Sequence, residues 1–146
     1  MISVKRILVP YDFSAASQAA MKFAAELGTI FDARLHVLHV KETDQPEVPI
    51  DRAHPNLELR SGTPGVEIVR YAREHDIDLI VMGTHGRHAA HALTGSVAEK
   101  VVRTAPCPVL TLPWWSFARA VEPPPWSEAV PACDQLLRLS RICRSD

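Results

Sequence analysis

Short apolar runs rich in β-branched residues alternate along this chain with stretches whose apolar residues recur every third or fourth position, which is the pattern of strands alternating with amphipathic helices. Lys5 to Pro10 (KRILVP) is nearly continuous and apolar, as a strand covered on both faces must be, and is the first predicted strand. Ser14 is placed to cap a helix carrying Ala16, Ala20, Phe23, Ala24 and Leu27 on one side, with a stop at Gly28 or up to two residues beyond it. Arg34 to Val40 (RLHVLHV) is the second strand, so strand, helix and strand fit within about forty residues, the length of a βαβ unit.

Leu57 to Arg60 predicts a brief third strand, and Thr63 as cap with Pro64 at the first helical position opens a second helix with Ile68, Val69 and Ala72 on one side. Leu79 to Met82 (LIVM) is the fourth strand. Ser96 to Glu99 spell a capping box for a third helix, whose apolar side is Val97, Val101 and Val102 and which ends before Pro106. Pro108 to Leu112 (PVLTL) is the fifth strand. The alternation predicts an α/β fold, a doubly wound open sheet of five mostly parallel strands with right-handed crossovers.

Two stretches break the rhythm. Residues 41 to 56 (KETDQPEVPIDRAHPN) hold three prolines and no helical period, so an extended loop is expected where a crossover helix would normally lie. Residues 113 to 146 form an extension beyond a domain of residues 1 to 112; it carries Trp114, Trp115 and Trp126 and a DQLLRLSRIC segment in which Leu136, Leu137 and Leu139 can line a short amphipathic helix. It is either a loosely ordered tail or a cover for sheet surface that the absent helix leaves bare, in its own subunit or a neighbour.

Composition narrows the partners. A net charge of -1 gives no bulk attraction to nucleic acid or to an anionic membrane, so a polyanion would need a local site. Cys107, Cys133 and Cys143 are widely spaced and odd in number, which points to neither a disulfide framework nor a zinc array and fits a reducing cytoplasm. The apolar run near the start is too short for a signal segment or a membrane span, so a soluble cytoplasmic protein is expected.

The candidate chemistry is GTHGRHAAHALTGS, residues 83 to 96, placed where the fourth strand ends and the third helix begins. Ligands of open α/β sheets settle beyond the carboxyl ends of strands, glycines let backbone N–H groups converge on an anion, and a helix start adds further donors. Equally, Gly83 and Gly86 serve as turn residues and Ser96 as a cap with no ligand at all. Neither GxxxxGK[ST] nor GxGxxG occurs.

VPYDFS near the start, LHV closing the second strand, LIVMGTHG and GSVAEKVVRTAPCPVL together resemble the universal stress protein family, over roughly residues 3 to 112. The resemblance implies strand order 3-2-1-4-5, a homodimer through the fifth-strand edge and ATP as ligand. It implies phosphates on Gly83, Gly86, Gly95 and Ser96 with the backbone of Val97 beside them, and Pro10, Tyr11, Asp12 and Val40 around adenine and ribose. Asp12 is then a ribose or Mg2+ contact, and Met82 packs close by. Arg87 stands where the family often has a basic residue, and is either a phosphate contact or a solvated side chain.

The chain departs from the family pattern in two places. RHAAHALT counts eight residues between Gly86 and Gly95 where the pattern has nine, which shortens the reach by up to ~3.5 Å, and Ala89 stands near the family's third glycine. The prolyl loop replaces a crossover helix. The leading expectation is a regulatory module that binds ATP and changes state; the alternative is a dimeric scaffold of the same fold that takes no nucleotide.

His85, His88 and His91 recur every third residue and read either as solvated loop residues or as a shared metal site, the former favoured because no carboxylate stands beside them. No metal is expected. No serine or cysteine nucleophile elbow is present and Cys107, between two prolines, reads as buried filler, so no enzyme is expected beyond slow, incidental hydrolysis of ATP near Asp12.

Overall fold

The computed structural model describes residues 3–42, 57–84 and 95–112. The elements are β1 (Arg6–Pro10), α1 (Ala15–Phe31), β2 (Arg34–Lys41), β3 (Leu57–Ser61), α2 (Pro64–Glu74), β4 (Leu79–Gly83), α3 (Ser96–Thr104) and β5 (Val109–Leu112). The strands form one sheet in the order β3-β2-β1-β4-β5, every pairing parallel. This is the doubly wound α/β sheet that the alternation predicts.

Side chains alternate across a strand, and the apolar runs of β1 and β4 divide by that alternation onto two cores. Ile7, Val9 and Val81 pack with Ala20, Met21 and Ala24 of α1. Leu8, Ile80 and Met82 pack with Ile68, Val69 and Ala72 of α2 and with Ala98 and Val101 of α3. Both faces of the central strands are therefore covered, which is why their runs are continuous and not alternating.

The first helix starts as expected, Ser14 Oγ accepting the Ser17 N–H at 3.2 Å from an extended N-cap. It does not stop at Gly28, nor two residues on, but runs to Phe31 and closes on Asp32 in the left-handed region, φ 52°. Gly28 has a packing role instead. Its carbonyl accepts from Ala33 at 2.9 Å, and a Cβ there would lie 3.3 Å from Ala33 O and 3.6 Å from Leu35 Cγ. The missing side chain is what lets β2 turn back beneath the helix.

Thr63 occupies the N-cap of α2 with Pro64 after it, but its hydroxyl makes no capping bond. The capping box expected at Ser96 does not form: Gly95 is the N-cap of α3 and Ser96 is its first helical residue. Thr84 fixes this register, its carbonyl accepting the Gly95 N–H at 2.6 Å while the Glu99 N–H reaches Gly95 O at 3.0 Å. Glu99, freed from capping, pairs with Arg103 at 2.9 Å. The face of α3 is corrected too: Ala98 and Val101 are buried, whereas Val102, one residue and about 100° further round, is 54% exposed.

β3 is an edge strand held by charge as well as by its ladder. Arg60 lies 2.6 Å from Glu74, 3.5 Å from Glu58 and 3.9 Å from Glu67, with its guanidinium 4.8 Å from the centre of the Tyr71 ring. At the amino ends of the central strands, Asp78 Oδ2 accepts the backbone N–H groups of Lys5 and Arg6, both at 2.8 Å, and locks the start of β1 to the turn before β4. The prolyl crossover expected between β2 and β3, and the extension from residue 113 onward, lie outside the described residues.

Candidate functional site

In the order 3-2-1-4-5 the chain crosses leftward from β1 and rightward from β4, so these two neighbours flank the switch point where open α/β sheets take ligands. They pair in register only at Ile7–Leu79 and Leu8–Ile80. Each then continues against its outer neighbour alone, β1 to Pro10–Leu38 and β4 to Gly83–Leu112. The ladder between the two central strands therefore ends before their carboxyl ends, where the switch-point crevice of such sheets lies. Pro10, Tyr11 and Asp12 lie at one lip, Met82 and Gly83 at the other, and Val40 at the end of β2.

The lip formed by the β1–α1 turn is closely bonded. Tyr11 N–H extends the ladder to Leu38 O at 2.8 Å, and the Tyr11 carbonyl accepts from His39 Nδ1 at 2.7 Å. Asp12 N–H reaches Ser17 Oγ at 3.4 Å, and Asp12 Oδ1 accepts from Ser14 N–H at 3.0 Å and Ser14 Oγ at 2.5 Å. Phe13 has φ 65°, a left-handed backbone that costs a bulky residue about 1–2 kcal/mol. Its ring sits edge-on, 5.0 Å from both Tyr11 and His39. Asp12 is half-buried, its carboxylate oriented by its own turn.

Across the crevice, Gly83 accommodates α1: a Cβ there would fall 2.7 Å from Ala16 Cβ and 3.0 Å from the Ala16 carbonyl carbon. Thr84, buried, gives its N–H to Leu112 O at 3.1 Å and takes the Gly95 N–H on its own carbonyl. The first turn of α3 then presents Ser96, exposed, and Val97, half-buried, and helical geometry leaves the N–H groups of Ser96, Val97 and Ala98 without an intrahelical carbonyl. Gly95 adds no capping side chain over them. Such a helix start carries a partial positive charge and suits an anion. Met82 is buried and Val40 packs partly buried against the same core. Gly86 and Arg87, with His85, His88 and His91, lie outside the described residues.

The residues offer apolar surface at Val40 and Met82, a carboxylate at Asp12 suited to a hydroxyl or a cation, and helix-start amides suited to an anion. Sequence reasoning missed His39, Ser17 and Thr84. His39 was legible as an odd polar residue in a buried run, while Ser17 and Thr84 carried no signal because their roles depend on backbone geometry.

A second polar group lies away from the crevice. His36 Nδ1 is hydrogen-bonded to the Tyr71 hydroxyl at 3.0 Å, and Tyr71 stacks on His75 at 3.9 Å. Burial, then the nearby His75, Arg34 and Arg6, hold the His36 imidazole below its ordinary value, and burial pushes the Tyr71 hydroxyl up to about 12. Cys107 is half-buried against the core of α2 and α3, and burial followed by Asp78 raises its thiol. Among the described residues no cluster could hold a metal ion and no helix is long and apolar enough to cross a membrane.

The sequence matches the model of the universal stress protein family over residues 3–56 and 51–113. It is 33% identical over 122 residues to the universal stress protein Slr1230 of Synechocystis, covering 75% of this chain and 42% of that relative, so it spans less than half of the latter's length. Among solved structures, it is similar to the universal stress protein UspA from Lactobacillus plantarum, with TM-score 0.65, 30% identity, and coverage of 75% of this chain and 98% of that one. A universal stress protein solved in complex with cAMP matches with TM-score 0.61 and 26% identity, over 77% and 98% of the two chains.

Proposed function

Because this chain belongs to the universal stress protein family, we propose that it is a regulatory module that binds ATP, or a related adenine nucleotide, in the crevice between β1 and β4. The observation that carries this reading is the end of the ladder between the two central strands beyond Leu8 and Ile80, beside a helix start whose first amides face no side-chain cap. A similar protein bound to cAMP supports the adenine class. In this reading Pro10, Tyr11, Val40 and Met82 border the base, and Asp12 holds a ribose hydroxyl or Mg2+. Ser96 and Val97 hold phosphate with Gly83, Gly86 and Arg87 on the preceding turn. Mg2+, when bound, would neutralise phosphate charge there. Gly95 gives its N–H to Thr84 and would border the phosphate from the start of α3.

Bound nucleotide would tie β4 to α3 and stabilise the joined state, by about 2.7 kcal/mol at a ligand concentration 100 times Kd. The module acts through that change of state and not by turnover, in the cytoplasm, as a homodimer that covers the outer edge of β5 with the same edge of a second copy.

A second reading is a dimeric scaffold that takes no nucleotide. It is favoured by one specific pair of observations: the glycine at 83 is already required by Ala16, and the amide of Gly95 is already engaged. Calorimetric titration with ATP decides between them, with Ser96→Glu as the control. A carboxylate at a helix start supports the fold while repelling phosphate. Saturable heat that Ser96→Glu removes at unchanged Tm supports the nucleotide reading, and no heat or thermal shift at millimolar ATP supports the scaffold.

A further inference from the structure

His39 occupies a position that the pattern of β2 reserves for an apolar side chain. Its parity is that of Leu35 and Val37, both packed in the core beneath α1, and it is 6% exposed. A polar ring buried there calls for a partner, and it has one: Tyr11 O, 2.7 Å from Nδ1. A carbonyl oxygen only accepts, so the hydrogen must sit on Nδ1, which fixes the tautomer of the neutral ring.

That bond stands where the β1 ladder ends. Tyr11 N–H extends the ladder to β2 at Leu38 O, and within two residues the backbone has turned through the left-handed conformation of Phe13. A bulky residue remains in that region only where its surroundings force it. The His39 ring contributes twice, holding the carbonyl two residues before Phe13 and packing edge-on against the Phe13 ring at 5.0 Å. Asp12 lies between the two held points, and its backbone N–H and carboxylate are tied to Ser17 and Ser14 within the same turn.

We propose that His39 is a positioning residue: by donating Nδ1–H to Tyr11 O and bracing Phe13, it holds the β1–α1 turn in the shape that presents Asp12 to the nucleoside end of an adenine nucleotide. This rests on the nucleotide reading above. His39 has no part in the phosphate end, which belongs to β4 and α3 on the far lip. Its loss therefore weakens every ligand that carries the nucleoside, by a common factor.

The test uses the full 146-residue chain and three proteins: wild type, His39→Leu, which keeps the bulk without the donor, and His39→Asn, whose amide nitrogen reaches the place of Nδ1. Dissociation constants for ATP and for adenosine are measured by calorimetry at a temperature where circular dichroism shows all three folded. The expected result is a loss of about tenfold for both ligands in His39→Leu, the scale of one buried hydrogen bond, largely restored in His39→Asn.

Unchanged adenosine affinity in His39→Leu overturns the proposal. So does a loss for ATP much larger than for adenosine, since that would mean general loosening that reaches the phosphate lip. If the wild type binds neither ligand, the nucleotide reading fails by itself, and amide exchange of residues 11–17 then decides whether His39 positions the turn. Faster exchange in His39→Leu than in His39→Asn sustains it, and equal exchange in both removes it.

Discussion

Gly83→Ala separates the two reasons a glycine can stand at the end of β4. The new Cβ would lie 2.7 Å from Ala16 Cβ, 3.0 Å from its carbonyl carbon and 3.1 Å from its carbonyl oxygen. The φ of Gly83 is outside the left-handed region, so alanine suits the backbone and the penalty is packing alone. Overpacking of this kind costs about 1–3 kcal/mol, offset by about 0.4–1 kcal/mol because alanine restricts the unfolded chain. The net loss is about 1–2 kcal/mol, a fall in Tm of roughly 3–6 °C for a domain of this size.

Ala16→Gly in the same chain removes the shortest of the three contacts but leaves the two made by its backbone. The double variant should therefore recover part of the loss, a coupling of about 0.5–1 kcal/mol in the rescuing direction, read from urea unfolding of the four proteins of the cycle. A Tm for Gly83→Ala equal to that of wild type would refute the close approach of α1 to β4. If ATP affinity fell while Tm held, the glycine would be kept for the ligand and not for the helix.

The corrected face of α3 predicts that Val101→Ala, at a fully buried position, lowers stability by about 2–3 kcal/mol, whereas Val102→Ala stays within about 0.5 kcal/mol of wild type; chemical denaturation of both checks it, and equal losses would restore the expected face. Acidification acts through His36. Its folded value lies below the ordinary 6.5, so the unfolded chain takes the proton first, and this stability is present above pH 6.5 and lost as pH falls toward the folded value. His36→Asn, which keeps a donor for Tyr71 but cannot titrate, should narrow the difference in urea midpoint between pH 7 and pH 5.5; an undiminished difference would place the titration elsewhere.

The strands and helices were legible because their apolar residues must serve two cores at once. Ile7, Leu8 and Val9 leave no polar position free, and Ala16, Ala20 and Ala24 mark the face that lies closest to the sheet. Strand ends fall within one residue of expectation, and where they differ propensity is weak and the ladder decides. The larger departures have tertiary causes. Gly28 reads as a stop in one dimension but is the contact point of α1 with β2, and Ser96 reads as a cap only if the bond from Gly95 to Thr84 is unknown. At the candidate site, the residue types raised an anion-binding turn and a plain turn alike, while the donor role of His39 and the left-handed Phe13 arise from geometry that no spacing encodes.

The bond from Gly95 N–H to Thr84 O joins the entrance and exit of a ten-residue excursion, positions 85 to 94, at a single knot. That bond ties the end of β4 to the start of α3 directly. A deletion within positions 85 to 94 that leaves the register of α3 unchanged would show that this bond, and not the length of chain it spans, sets where the helix begins.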